Sequence, residues 1–235
     1  MHKSLIFFLL LLFVNFAKAQ VLSPELYNIG SPNLKEIYVD PANGNDSRNG
    51  LSSSTAFRSL NAAWNSIPRE QVLSQGVRIN ILPGELSESN IPNYMESRYG
   101  TYANPIIIRA LNGNGTVRLR GDLNIFDTRY LYLIDLVIDS NGDALHCEKC
   151  DHLLVRGGEY DGGDREAHET IKVNQSQYVY IEKSNIHGAD DNAIDFVSVQ
   201  YGHILYNKIH DAQDWCAYAK GGSAYLTIEG LSLIH

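Results

Sequence analysis

The sequence after residue 130 repeats one short apolar pattern at a nearly constant interval. The pattern, apolar-x-apolar-x-x-x-x-apolar, occurs five times and begins with Leu131, Leu133 and Ile138. Its central residues lie 22, 26, 23 and 24 positions apart, and they are Leu133, Val155, Ile181, Ile204 and Ile228. The first four units also contain a second short strand, in DALHC, ETIKV, NAIDF and CAYAK. Units of this size, with Gly, Asn and Asp corners and no helix, can bury an apolar face only by stacking on one another.

The repeat predicts an all-β parallel β-helix, in which each strand pairs with the equivalent strand of the next coil at about 4.8 Å. A leucine-rich repeat has a similar period, but its L-x-x-L-x-L signature is missing. A β-sandwich would show hairpin turns instead of a repeat in register. We therefore assign residues 37–235 to one β-helix domain, with the five central residues in one inward column.

The chain before the repeat predicts a short strand, a helix and two buried strands. Residues 37–39 predict the strand, and a loop rich in Gly, Asn and Ser follows it. Ser59 fits the N-cap of a helix, because apolar residues recur at helical spacing from Leu60 to Ile67 and Pro68 then ends the pattern. The apolar runs in GVRINILPG and NPIIIRALNG predict strands that are buried on both faces.

The first nineteen residues predict a secretory signal peptide. They contain a basic start, an apolar run over residues 5–14, and Ala17 and Ala19 in the A-x-A spacing that precedes cleavage. The run is too short for a membrane span, although an N-terminal anchor is the alternative interpretation. We therefore expect a secreted protein, extracellular or periplasmic, with residues 20–36 as a leader before the domain.

The charge of the mature chain limits its partners. Removal of residues 1–19 takes away Lys3 and Lys18 and changes the formal charge from −8 to −10. An acidic protein of this kind is a poor partner for nucleic acid or an anionic membrane. A polyanionic substrate would need a local basic groove or a bridging cation.

The chain contains three cysteines, of which Cys147 and Cys150 form a C-x-x-C motif. The nearest histidines do not complete a zinc spacing, and the sequence has no second C-x-x-C. We expect buried thiols at these positions and at Cys216. A Cys147–Cys150 disulfide and a zinc site are the alternatives.

Alignment of the repeat places charged residues in columns on the outside of the predicted coils. One outward column contains His146, Lys172, Asp195 and Ala219. The column three residues earlier contains Asp143, Glu169, Asn192 and Cys216. The inward column between them contains Ile171, Ile194 and Tyr218. The adjoining corner residues are His168, Asp190, Asp191 and Asp214, and Lys220 follows the last strand.

Carboxylates within one or two coil spacings of each other repel unless ionisation is suppressed or a cation is bound. A set of four residues, Glu169, Asp191, Asn192 and Asp195, offers the hard oxygen ligands that favour calcium. The alternative is a solvated turn, in which aspartate bonds to its own backbone. For Asp190 alone we favour the turn.

Two segments resemble proteins of known architecture. The segment IYVDPANGNDSRNGLSSSTAFRSLNAA resembles the N-terminal strand, loop and capping helix of many secreted right-handed parallel β-helix proteins, among them polysaccharide lyases. The segment DNAID followed by CAYAKGGSAYLTIEG is similar to the calcium site and later catalytic lysine of the family 9 pectate lyases. The resemblance implies a right-handed β-helix with an N-terminal capping helix.

In that family, carboxylates in a D-D-x-x-D arrangement hold calcium together with one carboxylate from the preceding coil. Asp191 and Asp195 match the first and last of these positions, and Asn192 replaces the second aspartate. Glu169 lies near the position of the preceding coil. The resemblance also implies that Lys220 is the catalytic base.

Such a site would perform calcium-assisted β-elimination on an acidic polysaccharide, a uronic acid polymer such as pectate. Calcium that bridges protein and sugar carboxylates makes the C5 proton removable, and a lysine with a lowered pKa takes that proton. Lys172 is the alternative base, or it forms a salt bridge with Asp195. Trp215 and Tyr201 are candidates for stacking on sugar rings, or they cap corners.

Two other functions remain open. Asp190, Asp191 and Asp214 would supply the acid and base of a glycoside hydrolase, and a non-catalytic β-helix would bind glycans without cleaving them. Fold alone does not decide between these functions. The fifth unit ends in LSLIH without a polar capping segment, and solenoids normally cover such an edge. We therefore expect a truncated chain, whose full-length form is a monomer.

Overall fold

The computed structural model describes residues 24–163 and 168–234. The predicted signal peptide, residues 1–19, lies outside the described residues, as do the first four residues of the predicted leader. Within the described part, no helix is both long and apolar enough to cross a membrane.

The described residues form short strands throughout, with one short α-helix. In chain order the first strands are β1 (Leu34–Val39), β2 (Gly76–Ile81), β3 (Gly84–Ser87), β4 (Met95–Glu96), β5 (Ile106–Ala110), β6 (Val117–Arg120), β7 (Leu123–Phe126), β8 (Arg129–Ile134), β9 (Val137–Asp139) and β10 (Leu145–Glu148). The later strands are β11 (Asp151–Arg156), β12 (Glu159–Asp161), β13 (Ile171–Asn174), β14 (Gln177–Glu182), β15 (Asn185–His187), β16 (Ile194–Val197), β17 (Gln200–Leu205), β18 (Lys208–His210), β19 (Tyr218–Lys220), β20 (Thr227–Glu229) and β21 (Ser232–Ile234).

The strands belong to three sheets, and every pairing between neighbours is parallel. Sheet S1 contains β1, β2, β5, β8, β11, β14, β17 and β20 in spatial order. Sheet S2 contains β3, β6, β9, β12, β15, β18 and β21, and sheet S3 contains β4, β7, β10, β13, β16 and β19. From β8 onward each coil passes through S1, S2 and S3 in turn, which confirms the predicted all-β parallel β-helix. Each coil has one strand more than the repeat predicted, because the third apolar anchor, such as Ile138, lies on a strand of its own in S2.

The predicted inward column exists in the predicted register. Leu133 pairs with Val155, Val155 with Ile181, Ile181 with Ile204, and Ile204 with Ile228. The first four side chains are buried in one continuous core, whereas Ile228 on β20 is 50% exposed. The same column continues towards the N-terminus through Ile108, Ile79 and Ile37.

The predicted helix precedes the coils. Helix α1 (Leu60–Asn65) begins after Ser59, whose side-chain oxygen accepts a hydrogen bond from the backbone N–H of Ala62 at 3.0 Å. Leu60, Ala63 and Trp64 point into the core, and the helix contacts β1. Two 3-10 turns lie nearby in the chain, at Ser53–Thr55 and Glu88–Asn90. Strand β1 begins at Leu34, so the last three residues of the predicted leader belong to S1.

Three columns of residues in the left-handed backbone region turn the chain or kink its strands once per coil. The column between S3 and S1 contains Asp127, Lys149, Gln175, Ser198 and Gly221. The column between S1 and S2 contains Asp135, Gly157, Lys183, Tyr206 and Gly230. The third column, at the beginning of the S1 strands, contains Tyr130, His152, Tyr178, Tyr201 and Tyr225.

The third column is unusual because its members are aromatic. The left-handed region costs a residue with a side chain about 1–2 kcal/mol. The rings of Tyr130, His152, Tyr178, Tyr201 and Tyr225 stack on one another with centroids 4.1–4.9 Å apart. Each aromatic contact stabilises by about 0.5–1.5 kcal/mol, so stacking offsets much of the backbone strain.

The structure joins Cys147 and Cys150 in a disulfide, so our preference for separate thiols at this motif is wrong. The two residues flank the corner between S3 and S1, where the left-handed backbone of Lys149 reverses the chain and brings them together. Their Cα atoms lie 6.4 Å apart, within the range that a disulfide spans. Cys216 is buried, as expected, and burial raises the pKa of its thiol.

Replacement of Ile181 by alanine tests the inward column. Ile181 is fully buried between Val155 and Ile204, so we expect the free energy of unfolding to fall by about 2–5 kcal/mol. The matched control is Lys208→Ala on the exposed face of β18, which should change it by less than about 0.5 kcal/mol. Urea denaturation followed by circular dichroism measures both, and equal losses would contradict the assigned column.

Candidate functional site

The outer face of S3 carries the charged columns, with one correction to the predicted alignment. Strand pairing aligns His146 with Lys172, Lys172 with Asp195, and Asp195 with Tyr218. The prediction placed Ala219 at the last position, but Ala219 pairs with Phe196. The prediction was off by one residue because the extra residue of this coil lies later, in the turn after Lys220.

The same correction changes the neighbouring columns. The backbone N–H of Ala193 bonds to the carbonyl of Trp215, so Trp215, and not Cys216, continues the column of Asn192. Tyr218 is 42% exposed and lies on the outward face, so its predicted inward position is wrong. Trp215 is 61% exposed, and its alignment with Asn192 places it in the column of the candidate site.

Asp195 is the most unusual residue of the site. It points away from the core, because its neighbours Ile194 and Phe196 point inward, yet its side chain is 0% exposed. The Nζ atom of Lys220 lies 2.9 Å from its Oδ2 atom. Neither oxygen of Asp195 has a hydrogen-bond partner of good geometry among the described residues. Burial and the neighbouring carboxyl of Glu169 raise the pKa of Asp195, although Lys220 opposes this shift.

Glu169 forms a second carboxylate–lysine pair one coil earlier. The Nζ atom of Lys172 donates to Oε2 of Glu169 at 2.8 Å, and Glu169 is buried. Burial alone would raise the pKa of Glu169, but the Lys172 ammonium outweighs it and the pKa lies below its usual range. Each carboxylate in turn raises the pKa of its lysine, so Lys172 and Lys220 are both cations in this structure.

The corner between S2 and S3 adds a third interacting pair, formed by the carboxyl groups of Asp191 and Asp214. The amide nitrogen of Asn192 donates to Oδ1 of Asp191 at 2.9 Å, which leaves the buried Oδ1 atom of Asn192 without a described donor. Asp191 also shares a hydrogen bond with the carboxyl of Asp214. Partial burial, the charge of Glu169 and this contact together raise the pKa of Asp191. Asp190 accepts a hydrogen bond from Gln213 at the same corner, consistent with the turn that we favoured for it.

A histidine-rich cluster adjoins the site one coil earlier, and our sequence reasoning assigned it no role. The Asp143 carboxylate accepts the backbone N–H of Glu169 at 3.2 Å and lies 3.4 Å from Nδ1 of His168. His146 lies 4.0 Å from the same carboxylate. The sequence signal was the place of Asp143 and His146 in the columns of Glu169 and Lys172, with His168 at the adjoining corner. Beside His168 is an open cavity of about 520 Å³, whose other lining residues include Arg120, Asp122, Asp139 and Asn141.

All of the predicted site residues except one therefore lie close together. Glu169, Lys172, Asp191, Asn192, Asp195, Trp215 and Lys220 lie on adjoining positions of S3 and its preceding corner. Tyr201 lies elsewhere, in the aromatic stack at the beginning of S1. Both of its ring faces are covered by Tyr178 and Tyr225, so only its edge is available to a ligand.

The donor atoms of the site suit a hard cation. The two oxygens of Asp195 and Oδ1 of Asn192 are buried and have no hydrogen-bond partner of good geometry among the described residues, and calcium prefers carboxylate and amide oxygens. In this structure the ammonium groups of Lys172 and Lys220 balance the negative charge of Glu169 and Asp195. In the described part of the chain, no three His, Cys, Asp or Glu side chains stand in an arrangement ready to hold a metal. A cation would therefore compete with Lys220 for Asp195.

The strand register and the three-sheet coil define a parallel β-helix. No protein-family model matches the sequence, and no curated protein matches it. Among solved structures, the chain is similar to a rhamnogalacturonan lyase with 13% identity and a TM-score of 0.49, over 80% of this chain and 62% of that one. It is also similar to a pectate lyase with 15% identity and a TM-score of 0.38, over 78% of this chain and 56% of that one. The chain thus spans about three fifths of the length of these proteins.

Replacement of Asp195 by asparagine tests the contact with Lys220. Because Asp195 raises the pKa of Lys220, we expect that pKa to fall in Asp195→Asn. Titration of the lysine side-chain carbons by NMR, compared between the parent and Asp195→Asn, measures the change. An unchanged pKa at Lys220 would show that the ion pair does not form in solution.

Proposed function

We propose that this chain cleaves an acidic polysaccharide by β-elimination next to a uronic acid, as in pectate. The observation that carries the proposal is the Asp195 carboxylate, which is fully buried, has no hydrogen-bond partner of good geometry among the described residues, and lies against Lys220 at 2.9 Å and against the carboxyl of Glu169. A buried carboxylate without adequate partners costs several kcal/mol. Perturbed groups of this kind concentrate at functional sites.

The composition of the site supports an anionic sugar as the substrate. Lys172 and Lys220 lie on the outer face of S3 and are 29% and 44% exposed, so both ammonium groups are accessible to a carboxylate ligand. Trp215 is exposed next to them and offers a ring face to a sugar. The cavity beside His168 extends the surface to a second coil. A polymer lying along S3 would contact all of these groups.

Calcium is the cofactor that we propose for this reaction. Asp195, Asp191, Asn192 and Glu169 would hold it through the oxygens described above. The chemistry that calcium supplies when bound is neutralisation of the uronate carboxylate, which makes the C5 proton more acidic. Asp195 would be one of the residues that hold the cation, and its contact with Lys220 would then weaken.

Lys220 is the base that the geometry favours over Lys172. Asp195 raises the pKa of Lys220 in the present state, and neutralisation of Asp195 would lower it. The free amine would take the C5 proton, and the electron pair would expel the glycosidic oxygen at C4 to leave a double bond between C4 and C5. Lys172 remains bonded to the buried Glu169, so it is better suited to bind the substrate carboxylate.

A glycoside hydrolase is the second candidate, and one contact favours it. Asp191 and Asp214 share a hydrogen bond, and the pKa of Asp191 is raised. Hydrolysis of a glycosidic bond requires an acidic carboxyl and a second carboxylate about 5–10 Å apart across that bond, so this hydrogen-bonded pair would have to separate when a substrate binds. This reaction would need neither Lys220 nor calcium.

A lyase assay separates these functions. With pectate, alginate and glycosaminoglycans as substrates, we expect a calcium-dependent rise in ultraviolet absorbance from the unsaturated product. Lys220→Ala should lower kcat by about 100-fold or more, as expected for loss of a catalytic base. The matched control Lys208→Ala should retain full activity. New reducing ends without ultraviolet absorbance, abolished by Asp214→Asn, would support the hydrolase, and binding without cleavage would support an adhesive protein.

Calorimetric titration of calcium tests the cofactor independently of activity. Because Lys220 competes for Asp195, we expect Lys220→Ala to bind calcium more tightly than the parent chain. Asp195→Ala should bind it at least tenfold more weakly, since a charged ligand is lost, and its fold should survive because Asp195 is outside the inward column. If the parent binds no calcium at millimolar levels, or Asp195→Ala binds it equally well, the carboxylates are not a calcium site.

A further inference from the structure

We propose that residues 24–33 form a strap that covers the outer face of S1 and holds its coils together, and that Tyr27 anchors this strap. These residues have no regular secondary structure and precede β1 directly. They run along the outside of S1 from the coil of β17 back to the beginning of the first coil, against the direction in which the coils advance. The inference rests on the fold and is independent of the proposed function.

The backbone of Tyr27 completes a buried ion pair on S1. Glu182 on β14 is 0% exposed and accepts hydrogen bonds from Arg156 on β11 at 2.7 and 2.9 Å. The N–H of Tyr27 donates to Oε1 of Glu182 at 2.8 Å, and the carbonyl of Tyr27 accepts from Nη2 of Arg156 at 2.5 Å. A buried ion pair is tolerated only when further hydrogen bonds satisfy its remaining atoms. The strap supplies those bonds.

The side chain of Tyr27 fills a second apolar cluster that is separate from the main core. Its buried members are Ile107, Tyr132 and Leu154, which lie on the outer face of S1. The Tyr27 ring packs against Tyr180 with centroids 4.4 Å apart and against Tyr132 at 5.5 Å. Its hydroxyl lies 2.9 Å from the hydroxyl of Tyr132. Without the strap this cluster would face water.

Two further contacts fix the ends of the strap. The hydroxyl of Tyr206, at the corner after β17, donates to the carbonyl of Pro24 at 3.1 Å. Ile29 and Leu34 pack against the other end of the apolar cluster. The strap therefore contacts residues that lie up to 182 positions further along the sequence.

The strap contacts the coils that carry the candidate site. Strands β8, β11 and β14 are the S1 strands of the coils whose S3 strands hold His146, Lys172 and Asp195. In a solenoid each coil is otherwise stabilised only by its two neighbours. A segment that crosses several coils adds a contact between non-adjacent coils, and it opposes their local separation.

Tyr27→Ala in the full chain tests whether Tyr27 anchors the strap. We expect the melting temperature to fall by about 5–10 °C, and hydrogen exchange of the amides in β11, β14, β13 and β16 to become faster. The matched control is Glu25→Ala, which changes an exposed residue of the same strap and should alter neither quantity. Equal behaviour of the two variants would overturn the proposal.

A nicked protein tests the strap without altering a contact. Gly30 and Ser31 are exposed, so a protease recognition sequence inserted between them can be cut after folding. We expect the cut segment to remain bound through gel filtration in the parent and to dissociate from Tyr27→Ala. Its loss should increase the binding of a hydrophobic dye to S1. The proposal would be overturned if the segment leaves the parent and melting and dye binding stay unchanged. Exchange of the strap between chains in a dimer would also overturn it. Both outcomes can be observed even if Tyr27→Ala does not fold.

Discussion

Everything in this molecule depends on the parallel pairing of each strand with its counterpart one coil away. The pairing holds a constant register from β8 to β18 in all three sheets, so residues at equivalent positions lie about 4.8 Å apart. A column of isoleucine, leucine and valine then becomes a continuous core, and a column of aromatic residues becomes a stack. The same rule places Glu169 beside Asn192 and Lys172 beside Asp195. The candidate site is thus a product of register, because no single coil contains it.

The columns of the core could be predicted because apolar burial leaves a periodic trace in the sequence. Leu133, Val155, Ile181, Ile204 and Ile228 pair as expected, and Ser59 caps the helix as expected. Sheet S2 was missed because its strands within the repeat, from β9 to β21, have only three residues each, too few to show alternation. The shift at Tyr218 was missed because the spacing of the S1 anchors was applied to S3, whereas the additional residue of that coil lies between Lys220 and Ala224.

Other features of the site and the strap leave no periodic signal. The sequence placed Asp195 on an outward position, but it could not show that the carboxylate is fully buried and lies 2.9 Å from Lys220. The disulfide follows from the left-handed turn at Lys149, which a C-x-x-C spacing does not reveal. Residues 24–33 lack any repeat, and Tyr27 reaches partners more than one hundred positions away. Charge columns can therefore be predicted from a repeat, whereas burial, pKa shifts and non-periodic contacts require coordinates.

The coils vary in length almost only at one corner. Two residues connect S1 to S2 in each coil from β8 onward, at 135–136, 157–158, 183–184, 206–207 and 230–231. The connections from S2 to S3 contain five, nine, six and six residues before the strand register resumes, at 140–144, 162–170, 188–193 and 211–216, and the last coil has its extra residue after Lys220 instead. These variable connections carry Asp143, Glu169, Asp191 and Trp215, while the strands on either side keep their register. Insertions at this corner alter the rim of the candidate site and leave the core columns in place. A scaffold of this kind can change its ligand preference by accumulating loop insertions at a small cost in folding stability, because the entropy cost of closing a loop grows slowly with its length.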